Sequence, residues 1–140
     1  MYRTVVGTLM LAASVAHAGA PSAPTVTYEA VTATAPVGIS RLRVTPVGSR
    51  DYAIDFSIVA PNSTQHVGHI QGLATQDGMR LTLRVPIFRE SGHLDHPSLC
   101  TLVIEADDAR ARVVSAHQCS AFHGAAAGFV EQGQHLVRVH

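Results

Sequence analysis

Between Asp51 and Val59 apolar side chains recur at every second position. Tyr52, Ile54, Phe56 and Ile58 fall on one face, and Asp51, Ala53, Asp55 and Ser57 on the other. A two-residue period marks a half-buried antiparallel strand, because successive side chains point to opposite faces of a sheet. The rhythm returns at Met79, Leu81, Leu83, Val85 and Ile87, with Arg80, Thr82 and Arg84 between them. Just before it, Asp77-Gly78 is a two-residue hairpin signal. Weaker strands are predicted at 26–34, 39–44 and 66–74, the last interrupted by Gly68 and Gly72. Residues 99–106 and 109–115 make a hairpin across Asp107-Asp108, which sets Cys100 opposite Ser115, and 135–139 form a last short strand.

Residues 122–129 hold Gly124-Ala125-Ala126-Ala127-Gly128 in their middle. Alanine favours helix, but small residues bounded by glycine make a poor isolated one. A tightly packed strand or bulge is expected, with one helical turn as the alternative. No other stretch has an amphipathic helical pattern. The whole predicts an all-β fold, a small antiparallel barrel or sandwich of seven to nine short strands with one disulfide. Closure into a barrel has the advantage of removing exposed edges.

The first eighteen residues follow a different pattern. Met1-Tyr2-Arg3 is positive, residues 5–15 are apolar, and Ala16-His17-Ala18 is a small-x-small cleavage site. These are the three regions of a secretory signal peptide. The apolar run is too short for a bilayer, which needs about twenty residues. Residues 1–18 are therefore expected to be removed, 19–25 to be a flexible Pro-rich leader, and 26–140 to be a single soluble, exported domain. All ten basic residues are Arg, balanced by ten acids. The absence of Lys reads as the coding bias of a GC-rich genome, which points to a bacterium and a periplasmic or secreted location. With so even a charge and no basic stripe, neither a nucleic-acid partner nor an anionic-lipid anchor is expected. Cys100 and Cys119, two thiols in an oxidising compartment, are expected to form a disulfide.

The chemistry-bearing residues form two groups. His93, Asp95 and His96 lie in the irregular loop that also holds Ser91. His-x-x-His spacing there and at His66/His69 raises a metal site, with His93, Asp95 and His96 as the ligands to test. On a regular strand residues three apart point to opposite faces, so His66 and His69 share a metal only if Gly68 breaks the strand. There is no zincin motif, no nucleophile elbow, no phosphate loop and no recognisable pair of glycosidase carboxylates. A hydrolase assembled from Ser120, His123 and Asp95, or from Ser91 with His93, ranks third. Neither a catalytic residue nor a cofactor is assigned.

The second group is Cys119-Ser120-Ala121-Phe122-His123-Gly124, where a disulfide would hold a rigid loop that presents Ser120, Phe122 and His123. With its signal peptide, short-stranded β body and late Cys pair, the chain resembles small periplasmic proteins of the lysozyme-inhibitor and immunity-protein type. The resemblance covers residues 99–138, a Cys-bearing strand, a turn, a second Cys, a Gly-bounded patch and a last strand. Ser91-Gly92-His93 only partly echoes the loop that some lysozyme inhibitors push into the enzyme cleft. The resemblance implies a non-enzymatic binding protein whose partner is a protein of the cell envelope. No contact residue is carried over from it; the two loops, Glu90 to His96 and Ser120 to His123, offer Ser91, His93, Asp95, His96, Ser120, Phe122 and His123 as contact residues. A periplasmic metal-binding protein is the alternative.

Overall fold

The computed structural model describes residues 23–32, 37–61, 66–88 and 98–140. The expected signal peptide, most of the expected leader, and the residues Ser91, His93, Asp95 and His96 lie outside the described residues. Eight strands run in chain order, β1 (Val26–Val31), β2 (Ile39–Pro46), β3 (Asp51–Val59), β4 (Val67–Asp77), β5 (Arg80–Ile87), β6 (Ser98–Ala106), β7 (Arg110–His117) and β8 (Leu136–Val139). A 3-10 turn, Ser120–Phe122, and a one-turn helix, α1 (Phe129–Gln132), separate the last two. Each strand pairs antiparallel with the next, and β8 returns to β1 to close a barrel.

The predicted alternation sorts side chains between interior and exterior. Leu42, Ile54, Phe56, Ile58, Ile70, Leu83, Leu102, Ile104 and Leu136 are all buried. An eight-stranded barrel is just wide enough for such side chains to fill it. At one end, Tyr28 is buried and its hydroxyl donates to the Asp107 carbonyl at 2.7 Å, joining β1 to the β6–β7 turn. At the other end α1 drops Phe129 into the barrel, its ring 5.5 Å from that of Phe56.

Two turns differ in detail from expectation. The β4–β5 pairing ends at Asp77↔Arg80, so the hairpin residues are Gly78 and Met79 rather than Asp77 and Gly78. Gly78 has φ 59. Glycine meets that demand at little steric cost. In the β6–β7 hairpin the register moves between Val103↔Ser115 and Ile104↔Val113, leaving Val114 unpaired as a bulge. Thr101 therefore faces His117, and Cys100 lies beyond Ser115 rather than opposite it. Gln118, at φ 56, turns the chain back so that Cys119 bonds Cys100.

The expected strand over 122–129 does not form, apart from a single bridge at His123. Ala125 and Ala126 are exposed, with little side chain to bury, while Phe129 supplies the apolar mass and enters the core from a helical turn. β7 leaves β8 after the pair Ala111↔Leu136, and Val113 N donates instead to Gly133 O just after α1.

Candidate functional site

The Cys100–Cys119 disulfide fixes one end of the 119–124 segment to β6. The other end is stitched to β4, where Gly68 and His123 form an antiparallel bridge and Gly124 N donates to Val67 O at 3.0 Å. Gly68 is needed for this approach. A Cβ placed there would lie 2.6 Å from the His123 Cβ and 2.9 Å from Ile58 Cγ1. The segment thus lies against the barrel wall, held by a covalent bond at one side and main-chain bonds at the other.

Between this segment and the outer face of β3 and β4 lies an open groove of about 570 Å³. Val59, Val67, Ala121 and Phe122 supply its apolar surface, and Ser57, His69 and His123 its polar groups. His69 Nε2 donates to Asp55 Oδ1 at 3.0 Å. His123 Nδ1 donates to the Gly124 carbonyl at 2.9 Å, because a carbonyl can only accept. In neutral His123 this leaves Nε2 as the nitrogen with a free lone pair. The His123 ring also meets Phe129 edge-on at 5.6 Å between centroids, which links the groove wall to the core. A concave, largely apolar surface with a few fixed polar groups is the common form of a binding site.

The apolar surface extends beyond the groove. Val31 faces Ile39 across β1 and β2, and Val59 faces Val67 across β3 and β4, all on the outside of the barrel. Val31 is 63% exposed and Val67 59%. The next outward row is polar and carries the Glu29–Arg41 ion pair, with Arg41 Nε 2.6 Å from Glu29 Oε1. An apolar strip rimmed by polar residues is typical of protein interaction surfaces.

A second cleft, of about 600 Å³, runs along β6, β7 and β8 between Arg110, Arg112, Gln134 and His135. Its charges are largely satisfied from within. Glu105 accepts from Arg112 and Arg80, and these bonds hold its carboxyl below the usual range. Asp107 accepts from the backbone N–H groups of Ala109 and Arg110, which lowers its pKa in the same way. The balanced charges of this cleft make it the weaker candidate.

Of the residues singled out in the sequence, Phe122 and His123 line the groove, while Ser120 is exposed at the start of the 3-10 turn. Ser120 and His123 form no hydrogen bond with each other among the described residues. The ligand set His93, Asp95 and His96 and the residue Ser91 are outside the described residues. Gly68 does not break β4, so His66 and His69 do not meet the condition for sharing a metal. Among the described residues no cluster of three or more His, Cys, Asp or Glu could hold a metal ion. Sequence reasoning missed Ser57, Val59 and Val67, whose outward positions were predictable but whose neighbours from residues 121–123 were not.

Comparison of the chain with family models, curated proteins and solved structures finds no match. The disulfide is a mark of an oxidising, extracytoplasmic compartment. No helix among the described residues is long and apolar enough to cross a membrane.

Proposed function

We propose that this chain is an exported, non-enzymatic binding protein of the bacterial envelope, and that it acts as an inhibitor or immunity-type partner of a cell-wall hydrolase. The observation that carries the reading is the groove between β3–β4 and the disulfide-held segment. Because its walls are pinned in the free protein, little ordering entropy is lost when a partner docks, and preorganisation of this kind raises affinity. The barrel interior is filled by its own side chains, so recognition is assigned to the outer surface. Phe122, half-buried on the loop, is the aromatic anchor, and the Val31–Ile39 and Val59–Val67 pairs extend the contact. Such central apolar anchors carry most of the energy in protein interfaces.

Titration of a panel of muramidases and other cell-wall hydrolases with the purified domain tests the reading. Stoichiometric inhibition of at least one enzyme is expected, weakened at least tenfold by Phe122→Ala. If every enzyme keeps full activity in excess domain, the inhibitor reading is wrong.

A further inference from the structure

Among the described residues, Arg84 and Arg110 are the arginines whose side chains make no hydrogen bond or ion pair. Arg84 lies on β5, outside the clefts described above. Arg110 stands in the cleft of about 600 Å³ along β6, β7 and β8. The acids of that cleft are already engaged. Glu105 accepts from Arg80 and Arg112, and Asp107 Oδ1 accepts from the main-chain N–H groups of Ala109 and of Arg110 itself. Asp107 feels the Arg110 charge at a distance, without forming an ion pair with it.

Arg110 and Arg112 are both exposed on β7, with Ala111 buried between them, so they project from one face. Their main-chain positions are about 7 Å apart on an extended strand. Arg112 commits Nε and Nη2 to Glu105 Oε2, which leaves the N–H groups of Nη1 for another acceptor. Across β7 and β8, Arg110 faces Val137, and Ala111 faces Leu136 in the last pair before the strands part. There the Gln134 side-chain amide donates to Val113 O at 3.0 Å and to Val130 O at 2.8 Å, which ties the parting strands together. Exposed apolar side chains share the cleft with the guanidinium, Met79 at 59% and Val137 at 52%.

We propose that this cleft binds a small organic monocarboxylate with an apolar body. The carboxylate takes the fork of Arg110 and the Nη1 of Arg112, and the body rests on Met79 and Val137. A guanidinium matches a planar carboxylate with two parallel hydrogen bonds. Glu105 and Asp107 stand nearby as fixed negative charges, so one ligand charge is favoured over a phosphate dianion or a polyanion. A sugar would leave the Arg110 charge unmatched and the apolar pair uncovered. Small-molecule sites combine this volume with apolar surface and a few fixed polar groups. The proposal does not depend on the hydrolase reading or on the Phe122 groove.

The test titrates the purified protein with octanoate and with N-acetyl-leucine, a fatty acid and an acylated amino acid, and follows the backbone amides by NMR. At least one acid should shift the β7 and β8 signals with a Kd below about 1 mM. The tighter of the two identifies the kind of body the cleft accepts. Arg110→Gln should weaken binding about tenfold or more, the loss expected for one charge-assisted pair. Val137→Glu, which sets a like charge beside the carboxylate, should do the same. Arg84→Gln should bind as wild type does, because that guanidinium is equally unpartnered but lies outside the cleft. Circular dichroism shows whether each variant is folded. The proposal is overturned if neither acid binds, if neutral octanamide binds as tightly as octanoate, or if folded Arg110→Gln keeps full affinity. It is also overturned if Arg84→Gln loses as much as Arg110→Gln, or if inorganic phosphate displaces octanoate at equal concentration. The last result would make this a site for an inorganic anion.

Discussion

Gly68 on β4 and His123 in the disulfide-held segment meet in an antiparallel bridge that leaves no room for a side chain on Gly68. The nearest obstacles to an added methyl are the His123 Cβ and Ile58 Cγ1, neither of them the far end of a flexible chain. Gly68→Ala should therefore lower stability by about 1–3 kcal/mol, the range for overpacking. Denaturant midpoints of the two proteins check this. Under the proposed inhibitor reading, inhibition by the folded variant should also weaken, because the groove wall moves.

Removing both sulfurs in a Cys100→Ser, Cys119→Ser variant should cost about 3 kcal/mol for a loop of about 20 residues in the chain-entropy account. The strands do not depend on the bond for their pairing, so far-ultraviolet circular dichroism should stay that of a β protein. Equilibrium unfolding in urea measures the loss. A variant as stable as wild type would show that the staple adds nothing to the barrel.

Tyr28→Phe deletes the hydroxyl that bonds Asp107 O and should cost about 1 kcal/mol. Burial raises the Tyr28 phenol above its ordinary value of 10.0, with Arg138 opposing the shift. A raised folded-state pKa gives stability that is complete below the unfolded value and is lost as pH rises through the folded one. Wild type should therefore lose stability above about pH 10 more steeply than Tyr28→Phe, as thermal melts across that range would show.

Glu105 and Asp107 show the opposite sign. Hydrogen bonds from Arg112 and Arg80 lower the first from 4.5, and backbone N–H groups of Ala109 and Arg110 lower the second from 3.8. Lowered folded-state values give stability that is present above the unfolded pKa and lost as pH falls through the folded one. Stability should decline below pH 4.5, and Glu105→Gln should flatten part of that decline. Urea midpoints between about pH 2 and 6, a window that spans the ordinary carboxyl values of the unfolded chain and the lowered ones of the fold, read the difference.

The elements that were legible in the sequence are those whose pattern is local. β3 occupies the residues where the two-residue rhythm is cleanest, and the Cys pair closes as expected. Register was harder to read. The Val114 bulge shifts one strand by a residue, and no residue type there announces it. The segment 122–129 misled because local propensity was weak and Phe129 was drawn to a distant partner, Phe56. The groove was illegible because Val59 and Val67 meet Phe122 only after the barrel has closed. Phe122 and His123 could still be singled out, since a half-cystine beside an aromatic and a glycine already suggests a held loop.

Amide hydrogen exchange at Gly124, followed by NMR, tests most directly whether the groove is built before any partner arrives. Its N–H donates to Val67 O and should exchange far more slowly than that of exposed Ser120, with protection lost when the disulfide is reduced. If Gly124 exchanges as fast as Ser120 in the oxidised protein, the segment is not docked on β4 and the account of a preorganised groove is wrong.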